Sequence, residues 1–392
     1  MKYNYCIIGT GRQGTAAAYD ILKFAKVENL LLIDNSEKNL QMCFDKLVSV
    51  QNNITIVRKV ININDSSALV KELKEYDIFL SSVPYQYNLM LTNVAIESKT
   101  SMVDLGGHTE NVIKQLDYHK KAFDNNIAIV PDCGMGPGMN VTMALLAIEH
   151  LDHAKEVLIW DGGLPQNPIP PWNYSLFFNI KGLTNEYDES AFFLKNGKIE
   201  KVPCFEGIEI INFGDNIGDL EAAVTSGGLS TMPWTFEGKL NRLENKTLRY
   251  VGHWEWMKAY RELGLFSQEN IEFNNVKIVP REFYHHLLKP KLDTKDFKDI
   301  CLMKVVAKGE IDGIISEVEI DSFEKYDSET GFMAMEKWTG WHASIVMQHI
   351  LDGNVPYGVH SIENAISGKD FYKAALKRKY SINIKINNKK VN

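Results

Sequence analysis

The sequence of 392 residues has no paired cysteines, no long apolar run and no excess of basic charge. Its five cysteines (Cys6, Cys43, Cys133, Cys204, Cys301) are scattered without a CxxC pair, a pattern of free thiols in a reducing compartment rather than a disulfide framework. No segment approaches the roughly 18 to 20 apolar residues that span a bilayer. The N-terminus lacks a basic stretch followed by an apolar one, so no signal peptide and no membrane association are expected, and the expected location is the cytoplasm. A formal net charge of -7 argues against nucleic acid as a partner, because such binders carry a basic stripe. There is no internal repeat, and the only biased tract is a polar Lys/Asn tail from Asn383, expected to fray. With 45% hydrophobic and 24% charged residues the composition is that of a globular protein, and the length exceeds one ordinary core, so two domains are expected.

The clearest local signal is at the start. Tyr3 to Ile8 is a short apolar strand, followed by Gly9-Thr10-Gly11-Arg12-Gln13-Gly14, the helix-forming run Ala16 to Leu22, and a second apolar strand, Leu30 to Ile33, closed by Asp34. In this order the glycines have separate tasks: Gly9 makes the tight turn, Gly11 leaves room for a pyrophosphate, and Gly14 lets helix and sheet approach. The helix N-terminus offers N–H groups to phosphate, with Arg12 and Gln13 in its first turn. Asp34, 20 residues beyond Gly14, is placed to accept ribose hydroxyls, which predicts NAD in preference to NADP because a carboxylate repels a 2′-phosphate. Lys38 is the nearest basic residue that would offset it.

Strand-like segments then alternate with helical ones (Ile54 to Val60, Ile78 to Val83, Met102 to Leu105, Ala128 to Pro131), the pattern of a doubly wound parallel sheet. Ligands of such sheets sit at the carboxyl ends of strands. Those ends carry Ser81-Ser82-Val83-Pro84, with Ser82 and Pro84 assigned to the cofactor, Asp104-Leu105-Gly106-Gly107, and Asp132-Cys133-Gly134. Asp104 is the strongest candidate for substrate contact, the alternative being a turn aspartate. Cys133 in the same layer is the kind of small thiol that usually packs.

Beyond residue 150 the pattern changes to longer alternating strands at Glu156 to Trp160, Tyr174 to Lys181, Ala191 to Leu194, Cys301 to Lys308 and Glu317 to Asp321, with a hairpin turn at Asn196-Gly197-Lys198 and a Gly/Pro-rich loop over 161–172. Thr339 to Met347 starts a helix that returns to the nucleotide domain. The expected boundaries are 1–134 for dinucleotide binding, 135–335 for substrate binding and dimerisation, and 336–380 for the returning helices.

Several of these motifs resemble saccharopine dehydrogenase-like proteins, with lysine 6-dehydrogenase the branch the chain is most similar to. The resemblance is carried by residues 9–20, Val103 to Gly107, Asp132-Cys133-Gly134-Met135-Gly136-Pro137-Gly138-Met139, Gly162 to Pro165, Thr225 to Gly228, Pro233 to Gly238, Lys246 to His253 and Glu329 to Phe332. Gly136 and Val251 stand where the family often has alanine and proline. The resemblance implies an α/β fold, a Rossmann doubly wound parallel sheet with an inserted α+β substrate domain on a largely antiparallel sheet, usually dimeric, acting at a carbon–nitrogen bond of an amino acid.

On that footing Asp104 is the expected catalytic group, orienting or deprotonating an amine so that hydride can leave. Arg249 is expected to grip an α-carboxylate in a bidentate fork, a structural ion pair being the alternative. Tyr250, His253, Thr225 and Thr235 complete the expected substrate residues; a proton relay by His253 and a purely structural histidine are both open, as are capping roles for the threonines. The pair His285-His286 does not converge on a metal, and no metal is expected. The expected activity is NAD-dependent oxidative deamination of the lysine side chain. Two alternatives stand beside it: reductive coupling of an aldehyde and an amine, as in saccharopine reductases and carboxynorspermidine synthases, and a non-catalytic NAD(P)-sensing regulator. A homodimer binding a small amino acid is the expected state.

Overall fold

A computed structural model describes residues 1–51, 53–188, 190–214, 217–294 and 297–391. The chain divides into two compact units, each drawn from three stretches of sequence. The first takes Met1–Glu149, Ser230–Thr235 and Glu336–Lys379; the second takes His150–Leu229, Phe236–Met335 and Tyr380–Asn392. Among the described residues no helix is long and apolar enough to cross a membrane.

The first unit is built on a parallel sheet of seven strands. β1 (Tyr3–Ile8) lies at its centre, with β2 (Val27–Asp34) and β3 (Thr55–Val60) on one side. On the other lie β4 (Ile78–Ser81), β5 (Ser101–Asp104), β6 (Ala128–Val130) and the short strand Gly358–Val359. All pairings are parallel. Tyr5–Ile8 and Leu30–Ile33 are buried as continuous runs, because a parallel sheet is covered on both faces and needs no polar alternation. The strand order reverses between β1 and β4, which opens a crevice at their carboxyl ends.

Helix α1 (Arg12–Phe24) covers this centre with Ala16, Ala17, Ala18, Ile21 and Leu22. A π-helical turn, Lys337–Trp341, lies directly against its first turns. Gly340 makes that approach possible: a Cβ there would stand 2.6 Å from the Gln13 carbonyl oxygen. Asp20 on α1 accepts both Nε and Nη2 of Arg378 at 2.7 Å, a fork buried within the unit.

The expected domain boundary at residue 134 needs correction. Helix Met139–Ile148 clusters with the first unit and is buried from Met139 through Ala147, so it has no polar face to offer solvent. Residues 230–235 also belong to the first unit rather than to the inserted segment.

The second unit carries a mixed, mainly antiparallel sheet. Its long strand His153–Pro165 runs parallel to Arg242–Tyr250 and antiparallel to Asp299–Ile311. Asp299–Ile311 forms a long hairpin with Ile314–Lys325. The Ser190–Lys195 and Lys198–Pro203 strands join through Asn196 (φ 51°) and Gly197 (φ 76°), the two left-handed positions of a tight hairpin.

Three local expectations fail here. Residues 161–165 are strand rather than loop, since Gly162 and Gly163 carry no Cβ to strike Leu248 and Met335. The segment read as strand from Tyr174 to Lys181 is irregular and then enters helix Ile180–Asp188. The polar tail is also ordered: Ile382–Ile386 pairs with Ile314–Lys325 and is followed by Lys389–Val391, because buried Ile382 and Ile384 alternate with polar residues at strand period.

Candidate functional site: a nucleotide cradle and a buried carboxylate cluster

The glycine turn after β1 divides its tasks as the spacing suggests. Gly9 has φ 95° and a Cβ there would be 2.7 Å from the Ser82 carbonyl oxygen. Gly14 is closer still, its Cβ position 1.9 Å from the Gly9 oxygen, so it serves the packing of helix on strand. Gly11 is different: a Cβ there meets nothing of the protein, and that open space lies at the N-cap of α1, where no side chain caps the helix and no acidic residue occupies the first turn. Gln13 Oε1 is buried without a hydrogen-bond partner. This arrangement fits a dinucleotide pyrophosphate, which would take the helix N–H groups. Arg12 pairs with Glu336 at 3.9 Å.

Asp34 closes β2 but is not a free acceptor. Its Oδ2 accepts from Thr10 N at 2.8 Å and Thr10 Oγ1 at 3.1 Å, and its Oδ1 accepts from Ser36 N at 2.9 Å and Asn39 Nδ2 at 3.4 Å. Ser82 Oγ donates to the carbonyl oxygens of Ile8 and Gly9, tying β4 to the glycine turn. Pro84 is exposed and leads into the short 3-10 turn Tyr85–Tyr87.

At the ends of β5 and β6 three carboxylates lie buried with no cation among their printed partners. Asp104 is fully buried: Oδ1 accepts from Gly106 N at 2.8 Å and Asp132 N at 3.1 Å, and Oδ2 accepts from Gln115 Nε2 at 2.9 Å. Burial raises its pKa against those three donors. The geometry gives Asp104 the turn role, and as the catalytic group it is superseded by its neighbour.

Asp132 sits in the left-handed region at φ 58°, beside Gly106, which has no Cβ to collide with its carboxylate. Its Oδ2 accepts from Ser230 Oγ, while Oδ1 is buried without a hydrogen-bond partner. Burial, reinforced by the charge of Asp104, pushes its pKa up to about 8. Glu363 Oε1 accepts from Thr231 Oγ1 at 2.8 Å and Thr235 Oγ1 at 2.6 Å, and its Oε2 is likewise unpartnered. The segment 230–235 is thus fastened to both carboxylates by its hydroxyls. Thr235, expected to touch substrate, does this fastening. His342 completes the layer: Nδ1 lies 2.8 Å from the Cys133 carbonyl oxygen, and burial drops its pKa to about 4. Cys133 is fully buried, its thiol pushed up by burial.

The remaining expected substrate residues lie in the second unit, and they bind one another. Arg249 is 3% exposed. Its Nε donates to Tyr187 Oη at 2.9 Å and Nη1 to the Leu248 carbonyl oxygen at 2.9 Å, Nη2 stands 3.6 Å from Glu186, and the guanidinium lies 4.8 Å from the Tyr174 ring centroid. This is the structural ion pair, not an open fork. His253 Nε2 is 3.1 Å from Tyr187 Oη and Nδ1 is 2.7 Å from the Trp172 carbonyl oxygen. Tyr187 accepts from Arg249, so its proton points to His253 Nε2, and Nδ1–H donates to Trp172. Burial and the Arg249 charge lower the His253 pKa to about 3, which removes a proton relay at neutral pH. Thr225 Oγ1 is 2.6 Å from Thr247 Oγ1, and Tyr250 Oη donates to the Pro165 carbonyl oxygen at 2.9 Å. His285 bonds Thr184 at 2.7 Å, while His286 is exposed on the other face of its helix.

Residues 5–130 match the saccharopine dehydrogenase NADP binding domain, and residues 134–379 match the saccharopine dehydrogenase C-terminal domain. The chain belongs to the saccharopine dehydrogenase family. It is 24% identical over 291 residues to the saccharopine dehydrogenase (NADP(+), L-glutamate-forming) of Pyricularia oryzae, an alignment covering 71% of this chain and 60% of that protein. The Saccharomyces cerevisiae protein of the same name is 23% identical over 262 residues, 60% of this chain and 54% of that one. The alignments thus span less than two thirds of the length of these relatives. A solved structure of saccharopine dehydrogenase (L-Glu forming) from Saccharomyces cerevisiae shares the fold, with a TM-score of 0.76 at 18% identity and 100% of both chains covered.

These matches overturn the expected preference for NAD: the matched domain is an NADP binding one, and the fungal relatives are named for NADP(+). The physical reason lies in Asp34, whose two oxygens already accept from Thr10, Ser36 and Asn39. Donors directed at a carboxylate offset its charge, so it opposes a 2′-phosphate less than a free aspartate would.

Sequence reasoning missed Asp132 as the reactive carboxyl, and with it Ser230 and Glu363. Asp132 and Asp104 both stand at strand ends, and only the fold decides which keeps an unpartnered oxygen. Ser230 and Glu363 come from 98 and 231 residues further along the chain.

Proposed function

We propose that the chain is an NADP-dependent oxidoreductase acting at the C–N bond of a saccharopine-type amino acid, with Asp132 exchanging the proton at nitrogen. Asp132 carries this reading: a buried carboxyl pushed up to about 8, with one oxygen on Ser230 and one unpartnered, at the carboxyl edge of a dinucleotide-binding sheet. A group titrating near neutral pH suits both directions of proton transfer.

When bound, NADP supplies the acceptor or donor of hydride. In oxidation the carbon bearing nitrogen loses hydride, the nitrogen loses its proton to Asp132, and a C=N bond forms. Water then adds to that carbon and the C–N bond breaks, leaving a carbonyl compound and a free amine. Asp132 accepts the proton as a carboxylate and returns it as an acid in the reverse direction. Ser230 holds the carboxyl in place, and Glu363 holds the hydroxyls of Thr231 and Thr235 next to it. Gly11 and the α1 N-terminus receive the pyrophosphate. Lys38, exposed on the helix after Asp34, is the basic group for the 2′-phosphate.

The test is nicotinamide absorbance with NADP and a panel of saccharopine, L-lysine and L-ornithine, for the parent chain and Asp132→Asn. Turnover of saccharopine that Asp132→Asn abolishes supports the proposal. Turnover of free lysine alone moves the substrate to a primary side-chain amine. Tight NADP binding with no turnover in either direction sinks catalysis and leaves a nucleotide sensor.

A further inference from the structure

The second unit contains a separate two-stranded hairpin, Ile271–Phe273 with Val276–Ile278. Its register pairs Ile271 with Ile278, Glu272 with Lys277 and Phe273 with Val276. Opposed residues share a face and alternate residues return to it, so Ile271, Phe273, Val276 and Ile278 form one apolar face and Glu272 and Lys277 the other. That apolar face is uncovered: Ile271, Phe273 and Val276 are 51%, 61% and 59% exposed. A lone two-stranded sheet is marginal in water and normally needs a cover.

The helix that follows, Pro280–Leu292, repeats the anomaly. Tyr284, Leu288 and Leu292 face the core, as an amphipathic helix should. Its opposite face should be polar, yet it carries Phe283 and Leu287, 49% and 53% exposed and one turn apart. A helix apolar on both faces is the mark of one covered on both.

We infer that the hairpin's apolar face and the outer face of helix Pro280–Leu292 form a docking surface for a second copy of this chain, related by a two-fold axis. The five exposed side chains amount to roughly 500 Å², close to the apolar share of the roughly 800 Å² that each partner of a standard interface buries. Charge fits the same occupant. Glu272 and Lys277 cancel and stand on the far face, so like patches meet without repulsion, whereas an oppositely charged partner would find nothing to read. The two-fold axis places each residue against a self-complementary patch, as an isologous contact requires.

The experiment is sedimentation equilibrium of the full chain, parent against Phe273→Glu and Leu287→Glu, with Ile315→Glu as an exposed control elsewhere in the unit (85% exposed). The parent and the control should run as dimers, and each patch variant should weaken association at least about thirtyfold, with an unchanged melting temperature for its monomer. A monomeric parent chain at high micromolar concentration overturns the inference. So does a dimer whose dissociation constant neither patch variant moves, and so does a monomer that instead sediments with phosphatidylcholine vesicles through this face.

Discussion

The two units each bury a polar cluster, and the clusters differ in how they are completed. Around Arg249 a cation meets its partners: Tyr187, Glu186 and the Leu248 carbonyl take its N–H groups, and Tyr187 passes its proton to His253. Around Asp132 three carboxylates share hydroxyl and amide donors, and Asp132 Oδ1, Glu363 Oε2 and Gln115 Oε1 are left without partners. None of the buried polar atoms of Arg249, Tyr187 or His253 is in that condition among the described residues. A completed network stabilises one conformation and has no capacity left for a ligand. An incomplete one costs stability, and that cost is what a reactive site exhibits.

The sharpest way to break this contrast is Asp132→Asn. It should lower turnover about 10²- to 10⁴-fold and leave the fold intact, since Ser230 can still donate to the amide oxygen. Turnover within a factor of a few of the parent would make the two clusters alike. Arg249→Met should do the converse, costing about 3–5 kcal/mol in urea denaturation because Glu186 and Tyr187 lose their cation. A cost below about 1 kcal/mol would mean the network is not the structural element it resembles.

The cradle offers a third comparison within one turn. Gly11→Ala should fold with an unchanged melting temperature yet bind NADP at least about tenfold more weakly in a fluorescence titration, because its methyl group enters the space meant for phosphate. Gly14→Ala should fail on stability first, its Cβ lying 1.9 Å from the Gly9 oxygen.

The smallest effects separate the clusters by sign. Asp132 has a folded pKa of about 8 against an ordinary 3.8, so the folded chain holds a proton that the unfolded chain has released. That contribution is present at low pH and lost as pH rises towards about 8, and Asp132→Asn should flatten the alkaline fall in melting temperature. The oxidation rate, which needs the carboxylate, should climb over the same range. His253 works the other way: with a folded pKa of about 3 against 6.5, its contribution is lost as pH falls from about 6.5 towards 3. His253→Gln should therefore flatten the acid limb only.

Much of the fold could be read from the sequence because its signals are local. The β1, glycine turn, α1 and β2 succession lies within 34 residues, and the Asn196-Gly197 turn specifies its hairpin unaided. The tail failed for a compositional reason: lysines and asparagines masked the alternation of Ile382, Ile384 and Ile386. The site was half legible. Every cofactor glycine occupies the turn expected of it, whereas Asp34 and Arg249 were judged by charge alone. Their hydrogen-bond partners, which decide what that charge can do, depend on side chains brought in by the fold. Asp132 differs from Asp104 only in which of its oxygens the surrounding backbone reaches, and spacing carries no signal for that.

The interleaved path of the chain also governs how the protein can be made. The outer edge of strand Ile314–Lys325 is closed by Ile382–Ile386, which follows the returning helices in the sequence. During synthesis that edge stays open until almost the whole chain has left the ribosome, with its backbone N–H and C=O groups free to pair with another nascent chain. A fragment ending at Lys379 would retain every residue of the first unit and still be prone to aggregate through the second.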